Sequence, residues 1–106
     1  MTSVPPYDKL AAVNSPDLRR PAHHPNTVYR VFGDEAVVIS PTENVVRMLN
    51  STASHIWELA DGSRTADEIV NDLTLEFAVD DATAHASVTS FLGEMMDKGL
   101  LVWSTD

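Results

Sequence analysis

Four histidines are the first residues in this chain with types and spacings that suggest chemistry. His23 and His24 are adjacent, His55 lies three before Glu58, and His85 lies four after Asp81. On a helix, the last two spacings put an imidazole and a carboxylate on one face, where they could share a metal ion. Zinc needs three or four convergent ligands. No helical spacing here supplies more than two, and with no cysteine in the chain, thiolate sites and disulfides are excluded. No metal and no other cofactor is expected. Nucleophilic catalysis has less support still. There is no GxSxG elbow, and Ser54 and His55, neighbours in sequence, point apart on a helix. Gly33, Gly62, Gly93 and Gly99 are isolated, so no phosphate-cradling loop forms. With no nucleophile–base pair to name, the chain reads as non-enzymatic.

Charge narrows the partners. The 106 residues carry a net charge of −9. Residues 1–27 hold Lys9, Arg19 and Arg20 against Asp8 and Asp17, so the excess of acid falls entirely on the remainder. Such a surface repels phosphate backbones and anionic lipid, so neither nucleic acid nor membrane is an expected partner. It favours a basic or neutral one. No apolar run is long enough to span a bilayer. The opening MTSVPPYDKL lacks the basic start and apolar run of a secretory signal. A cytoplasmic protein is expected.

The elements that could position a binding site follow from periodicity. Residues 1–27 contain five prolines and no helical or strand period, and read as a flexible Pro-rich tail, with residues 28–106 as the single domain. Val28–Phe32 (VYRVF) and Glu35–Ser40 (EAVVIS) have strand composition. Gly33-Asp34 between them suits a type II′ hairpin turn, and Pro41 ends the second strand. Val45–Leu49 (VVRML) returns as a third strand. The period then changes. From Ser51, Ala53, Ile56, Trp57, Leu59 and Ala60 cover one helical face, with Ser54, His55 and Glu58 on the other. Asn50 is the N-cap and Gly62 the stop. Thr65 and Glu68 form a capping box for a second helix. Its inner stripe is Ala66, Ile69, Val70, Leu73 and Phe77, with Leu75 facing away. A third helix runs from Asp80 or Asp81 to Lys98, with the acids at its positive end and Gly99 as its stop. Its apolar arc, Ala84, Val88, Phe91, Leu92, Met95 and Met96, is wide. Leu100–Trp103 could pair as a strand or cover the core. The fold class is α+β: a three-stranded antiparallel sheet followed by three helices in a winged-helix-like layout.

Winged-helix layouts often read DNA with a basic helix, but the third helix offers only Lys98 against Asp80, Asp81, Glu94 and Asp97. Peptide binding has positive features instead. An outer strand of a meander keeps an unpaired edge. If Val45–Leu49 is that edge, it offers main-chain donors and acceptors to an incoming strand, and flexible methionines on the third helix could wall the groove.

LNSTASHIWELADGSRTADEI, followed by FLGEMMDKGLL, resembles the pyrroloquinoline quinone biosynthesis protein D (PqqD) family. The matching features are Leu49-Asn50, Thr52-Ala53, Ile56, Leu59, Asp61-Gly62, Thr65, Glu68-Ile69, Leu73, Phe77, Phe91-Leu92 and Gly99-Leu100-Leu101, over roughly residues 37 to 102. The resemblance implies a peptide chaperone, a recognition element that binds the leader of a ribosomally made precursor. It would present that precursor to a modifying enzyme, often a radical SAM enzyme, in pyrroloquinoline quinone synthesis or another peptide pathway. It also implies that the leader adds as a strand beside Val45, Val46, Arg47, Met48 and Leu49. The wall on the third helix, taken from helix phase, would be Ser87, Val88, Phe91, Glu94 and Met95. The rivals are an acidic winged-helix-like regulator or interaction module, and a structural dimer through Leu75 or a swapped hairpin. The expected assembly is a monomer or weak homodimer.

Overall fold

A computed structural model describes residues 19–40 and 44–104. In chain order its elements are β1 (Arg20–His23), β2 (Val28–Phe32), β3 (Glu35–Ser40), β4 (Val45–Leu49), α1 (Ser51–Leu59), α2 (Ala66–Phe77), α3 (Asp81–Asp97) and β5 (Leu101–Ser104). The meander β2-β3-β4 is antiparallel throughout. Gly33 takes φ +65°, as the first central position of a type II′ turn requires, and Phe32 pairs directly with Glu35 across it. The architecture is the expected three-stranded antiparallel sheet followed by three helices.

Each helix starts on the cap that its sequence specifies. The Asn50 side chain accepts a hydrogen bond from the Ala53 N–H at 2.9 Å. Thr65 and Glu68 close a reciprocal capping box. Asp80 accepts from the Thr83 N–H at 2.8 Å, and hydrogen bonding from Thr83 holds its carboxyl below the ordinary aspartate range. Each of these bonds satisfies an N–H that the first helical turn leaves free. The helix stops differ in detail. α1 ends at Leu59 with Ala60 as its cap, before Gly62 is reached. Beyond α2, Ala78 occupies the left-handed region at φ 52°, a position usually given to glycine.

The inner faces meet as expected. Ile56 and Trp57 from α1, Ile69 and Leu73 from α2, and Val88, Leu92 and Met95 from α3 are buried against Val38 and Leu49 of the sheet. Leu75 stays exposed on the opposite face of α2. Ser54 departs from the polar face assigned to it. It is buried, and its hydroxyl donates to the Leu49 carbonyl at 3.1 Å, which ties the start of α1 to the end of β4.

The N-terminal segment adds a strand that its sequence does not signal. Most of the expected tail, residues 1–18, lies outside the described residues, but its last part is structured. Arg20–His23 pairs antiparallel with Leu101–Ser104, so the closing apolar segment is a strand and β1 is its partner. Four residues containing Pro21 show no period of their own. This strand is fixed by tertiary contacts instead. The Pro21 carbonyl accepts from the Gly62 N–H at 2.9 Å. The His23 ring stacks on Trp57 with centroids 4.0 Å apart, and its Nε2 donates to the Trp57 carbonyl at 2.8 Å. Tyr29 meets both rings edge-on. A guanidinium, that of Arg19, lies over the Trp103 ring.

Candidate functional site

In the meander, β4 is an outer strand: β3 lies on one side of it, and among the described residues no strand pairs with its other edge, which leaves main-chain groups open there. The pleat divides its side chains. Val46 and Met48 point to the outer face of the sheet and are 63% and 78% exposed. Val45, Arg47 and Leu49 point toward the helices, and Leu49 is buried in the core. The side chains of Val46 and Met48 therefore face away from the helix wall, and what β4 offers at its edge is backbone.

On the inner side, Arg47 forms an ion pair with Glu94 of α3, both side chains partly exposed. The two elements are not closely packed, and this pair reaches across the space between them. Next to it is an open cavity of about 380 Å³, lined by Asn50, Thr52, Ala53, Ile56, Ser87, Ser90, Phe91 and Glu94. Its floor is apolar, from Ala53, Ile56 and Phe91, and its rim is polar, from Thr52, Ser87, Ser90 and Glu94. This arrangement suits an extended peptide: an edge for its backbone, a hollow for an apolar side chain, and hydroxyls and one carboxylate for its polar groups.

The structure brings together Arg47, Ser87, Phe91 and Glu94 from the expected site. It does not bring Val88 or Met95 to the surface. Both are fully buried, and they belong to the core between α3 and the other helices. The wide apolar arc of α3 explains the difference. The helix is packed on several sides, by α1, α2 and β5, so most of the arc is interior. Ser90 is an addition to the expected wall. It lies three residues after Ser87 and four before Glu94, so helix phase alone locates it. Asn50, Thr52, Ala53 and Ile56 are additions of another kind. They join the site because the start of α1 abuts the middle of α3, which no local pattern encodes.

The histidines stay apart. His23 packs on Trp57, whereas His55 sits edge-on to Phe77 with Nε2 3.7 Å from the Asp72 carboxylate. Among the described residues, no three metal-ligating side chains converge, and no helix is long and apolar enough to cross a membrane.

A family model described as coenzyme PQQ synthesis protein D (PqqD) matches residues 35–101, more than half the chain. No curated protein sequence matches this chain. Three solved structures are similar. TbiB1 in complex with the TbiA(beta) leader peptide is 26% identical with a TM-score of 0.70, covering 76% of this chain and 93% of that one. A lasso peptide synthetase B1 complexed with its leader peptide is 16% identical with a TM-score of 0.70, covering 78% and 98%. The PqqD truncation of Methylobacterium extorquens PqqCD, a stand-alone recognition element for ribosomally synthesised and post-translationally modified peptides, is 21% identical with a TM-score of 0.64, covering 77% and 87%. At their identities, the last two likenesses bear on the fold alone.

Proposed function

Because this chain belongs to the PqqD family, whose members are non-catalytic peptide-binding domains, we propose that it binds the leader of a ribosomally made precursor peptide and presents it for modification. The observation that carries this is the open edge of β4 set beside α3, with the cavity between Asn50 and Glu94 next to it. A leader entering as a fourth strand would bond to the main chain of Val45–Leu49, with Val46 and Met48 contributing backbone only. Alternate leader side chains would face Arg47, Ser87, Ser90, Phe91 and Glu94. Main-chain bonds supply affinity that tolerates sequence variation, and the hollow over Phe91 supplies choice. We take β1 as part of the recognition domain with residues 28–106, on the support of its pairing with Leu101–Ser104. The modifying enzyme would be of the radical SAM class, with pyrroloquinoline quinone synthesis as one pathway the domain could serve. Support for both is the family membership alone.

The test is a titration of the full chain with a fluorescent synthetic leader. Candidate sequences are the short open reading frames found on sequencing around the gene for this chain. Saturable binding is expected. With the chain at −9, a basic leader should associate several-fold more slowly at about 300 mM salt than at about 50 mM, because screening weakens steering. No binding by any neighbouring leader contradicts the function. A rate indifferent to salt contradicts the electrostatic part.

A further inference from the structure

The solvent side of the sheet β2-β3-β4 is unusual for a chain this acidic. Strand register places Val28, Ile39 and Val46 in one row across the three strands, and Arg30, Val37 and Met48 in the next; Phe32 and Glu35 end the hairpin. All eight point away from the helices, because Ala36, Val38 and Leu49 point inward and are buried. Val28 and Phe32 are 53% and 62% exposed, and Val46 and Met48 more so. No described helix covers this face. At its hairpin end is an open hollow of about 500 Å³ between Phe32 and Met48. The exposed apolar surface is on the order of 500 Å², within the ~300–600 Å² range of the largest patch on an ordinary monomer, which is often functional.

We propose that this face is a self-association surface, on which a second copy of the chain packs sheet against sheet. Three observations favour that occupant. First, the face carries one cation, Arg30, and one anion, Glu35, so it is locally neutral on a chain of net charge −9. It is where two copies can approach without placing acid against acid. A basic partner, which the rest of the surface would attract, finds no excess of carboxylates here. Second, the residues on this face follow the period of a pleated sheet, and the surface that matches such a row pattern is another sheet about 10 Å away. Two copies related by a two-fold axis present that pattern to each other. Third, burying the patch on both copies removes on the order of 1,000 Å², the lower bound for a specific interface, which sets a weak and reversible dimer. The edge of β4 lies in the plane of the sheet, not on its face, so both copies would keep that edge free for a peptide strand.

The test is sedimentation velocity of the full chain from about 5 to about 500 µM, spanning the weak-interface range. A monomer–dimer equilibrium with a dissociation constant in the micromolar range is expected. Raising salt should tighten it, because screening removes repulsion between two acidic copies. Val28→Lys and Phe32→Lys, both on β2 and outside the proposed leader site, should each weaken dimerisation at least tenfold with helical circular dichroism unchanged. Leu75→Lys, on the exposed face of α2, should leave it unaltered. A wild type that stays monomeric throughout the range overturns the proposal. So does a dimer that survives both β2 variants, or one abolished by Leu75→Lys. If a β2 variant fails to fold, cross-linking of the Ile39→Cys variant with a thiol-reactive bis-maleimide that spans about 10 Å takes its place, because facing sheets lie too far apart for a direct disulfide: covalent dimers support the proposal, and their absence contradicts it.

Discussion

Val46→Pro and Met48→Pro each lose leader binding by about thirtyfold or more while the helices stay folded. Proline lacks the N–H that a ladder needs, and its ring obstructs a neighbouring strand. Losing one main-chain bond and leaving its buried partner unsatisfied costs about 2 kcal/mol, which corresponds to roughly thirtyfold in affinity. Both side chains are solvent-facing, so no core packing is removed. The helices are held independently by their caps and by the cluster around Ile56, Ile69 and Val88. Leader titration gives the affinity, and circular dichroism with thermal melting gives the fold. Arg47→Ala is a milder companion. It removes the reach to Glu94 without touching the backbone, and it should shift affinity by several-fold only. If both proline variants fold and bind as the wild type does, strand addition at β4 is wrong.

The largest effect on stability is expected at Trp57. The side chain is fully buried, stacked by His23 and flanked by Tyr29, at the point where β1, β2 and α1 converge. Its indole N–H has no hydrogen-bond partner among the described residues, so the contribution of the ring is packing rather than polarity. Trp57→Ala removes a large buried aromatic and leaves a cavity, at about 3–5 kcal/mol. A domain of this size has on the order of 5–10 kcal/mol in total, so the variant should be marginal at best. His23→Ala removes one stacked ring and one hydrogen bond, about 2 kcal/mol together. Urea unfolding followed by far-UV circular dichroism measures both. A Trp57→Ala variant within about 1 kcal/mol of the wild type would contradict this description of the core.

The helices and the meander are legible in the sequence because each is specified locally. Asn50, Thr65 and Asp80 are caps that act within three residues. Gly33-Asp34 is a turn that acts within two. The inner stripes of α1 and α2 repeat at helical spacing. β1 is not legible, because its order comes from β5, Gly62 and Trp57, whose contacts with it span from 34 residues, His23 to Trp57, up to the pairing of Arg20 with Ser104 at the far end of the chain. The proposed site divides in the same way. Arg47, Ser87, Phe91 and Glu94 are found from strand order and helix phase. Helix phase cannot separate a groove-facing residue from a buried one when a helix is packed on several sides, and Val88 and Met95 show this. The resemblance in residues 37 to 102 brings in the family, and the model match to residues 35–101 covers nearly the same stretch. The positions that carry it, Asn50, Thr65 and Glu68 among them, are mostly structural, which is why the family is easier to read than the binding residues.

The central claim is that a leader becomes the fourth strand of the meander at β4. The most direct measurement is NMR on the isotope-labelled full chain with an unlabelled leader bound. Intermolecular NOEs should connect leader backbone protons to those of Val45–Leu49 in a ladder pattern. Further contacts should link leader side chains to Phe91, Ser87 and Ser90, and alternate β4 amides should gain protection from hydrogen exchange. Contacts that run along β2 instead, or β4 amides that exchange at the same rate with and without leader, would contradict it.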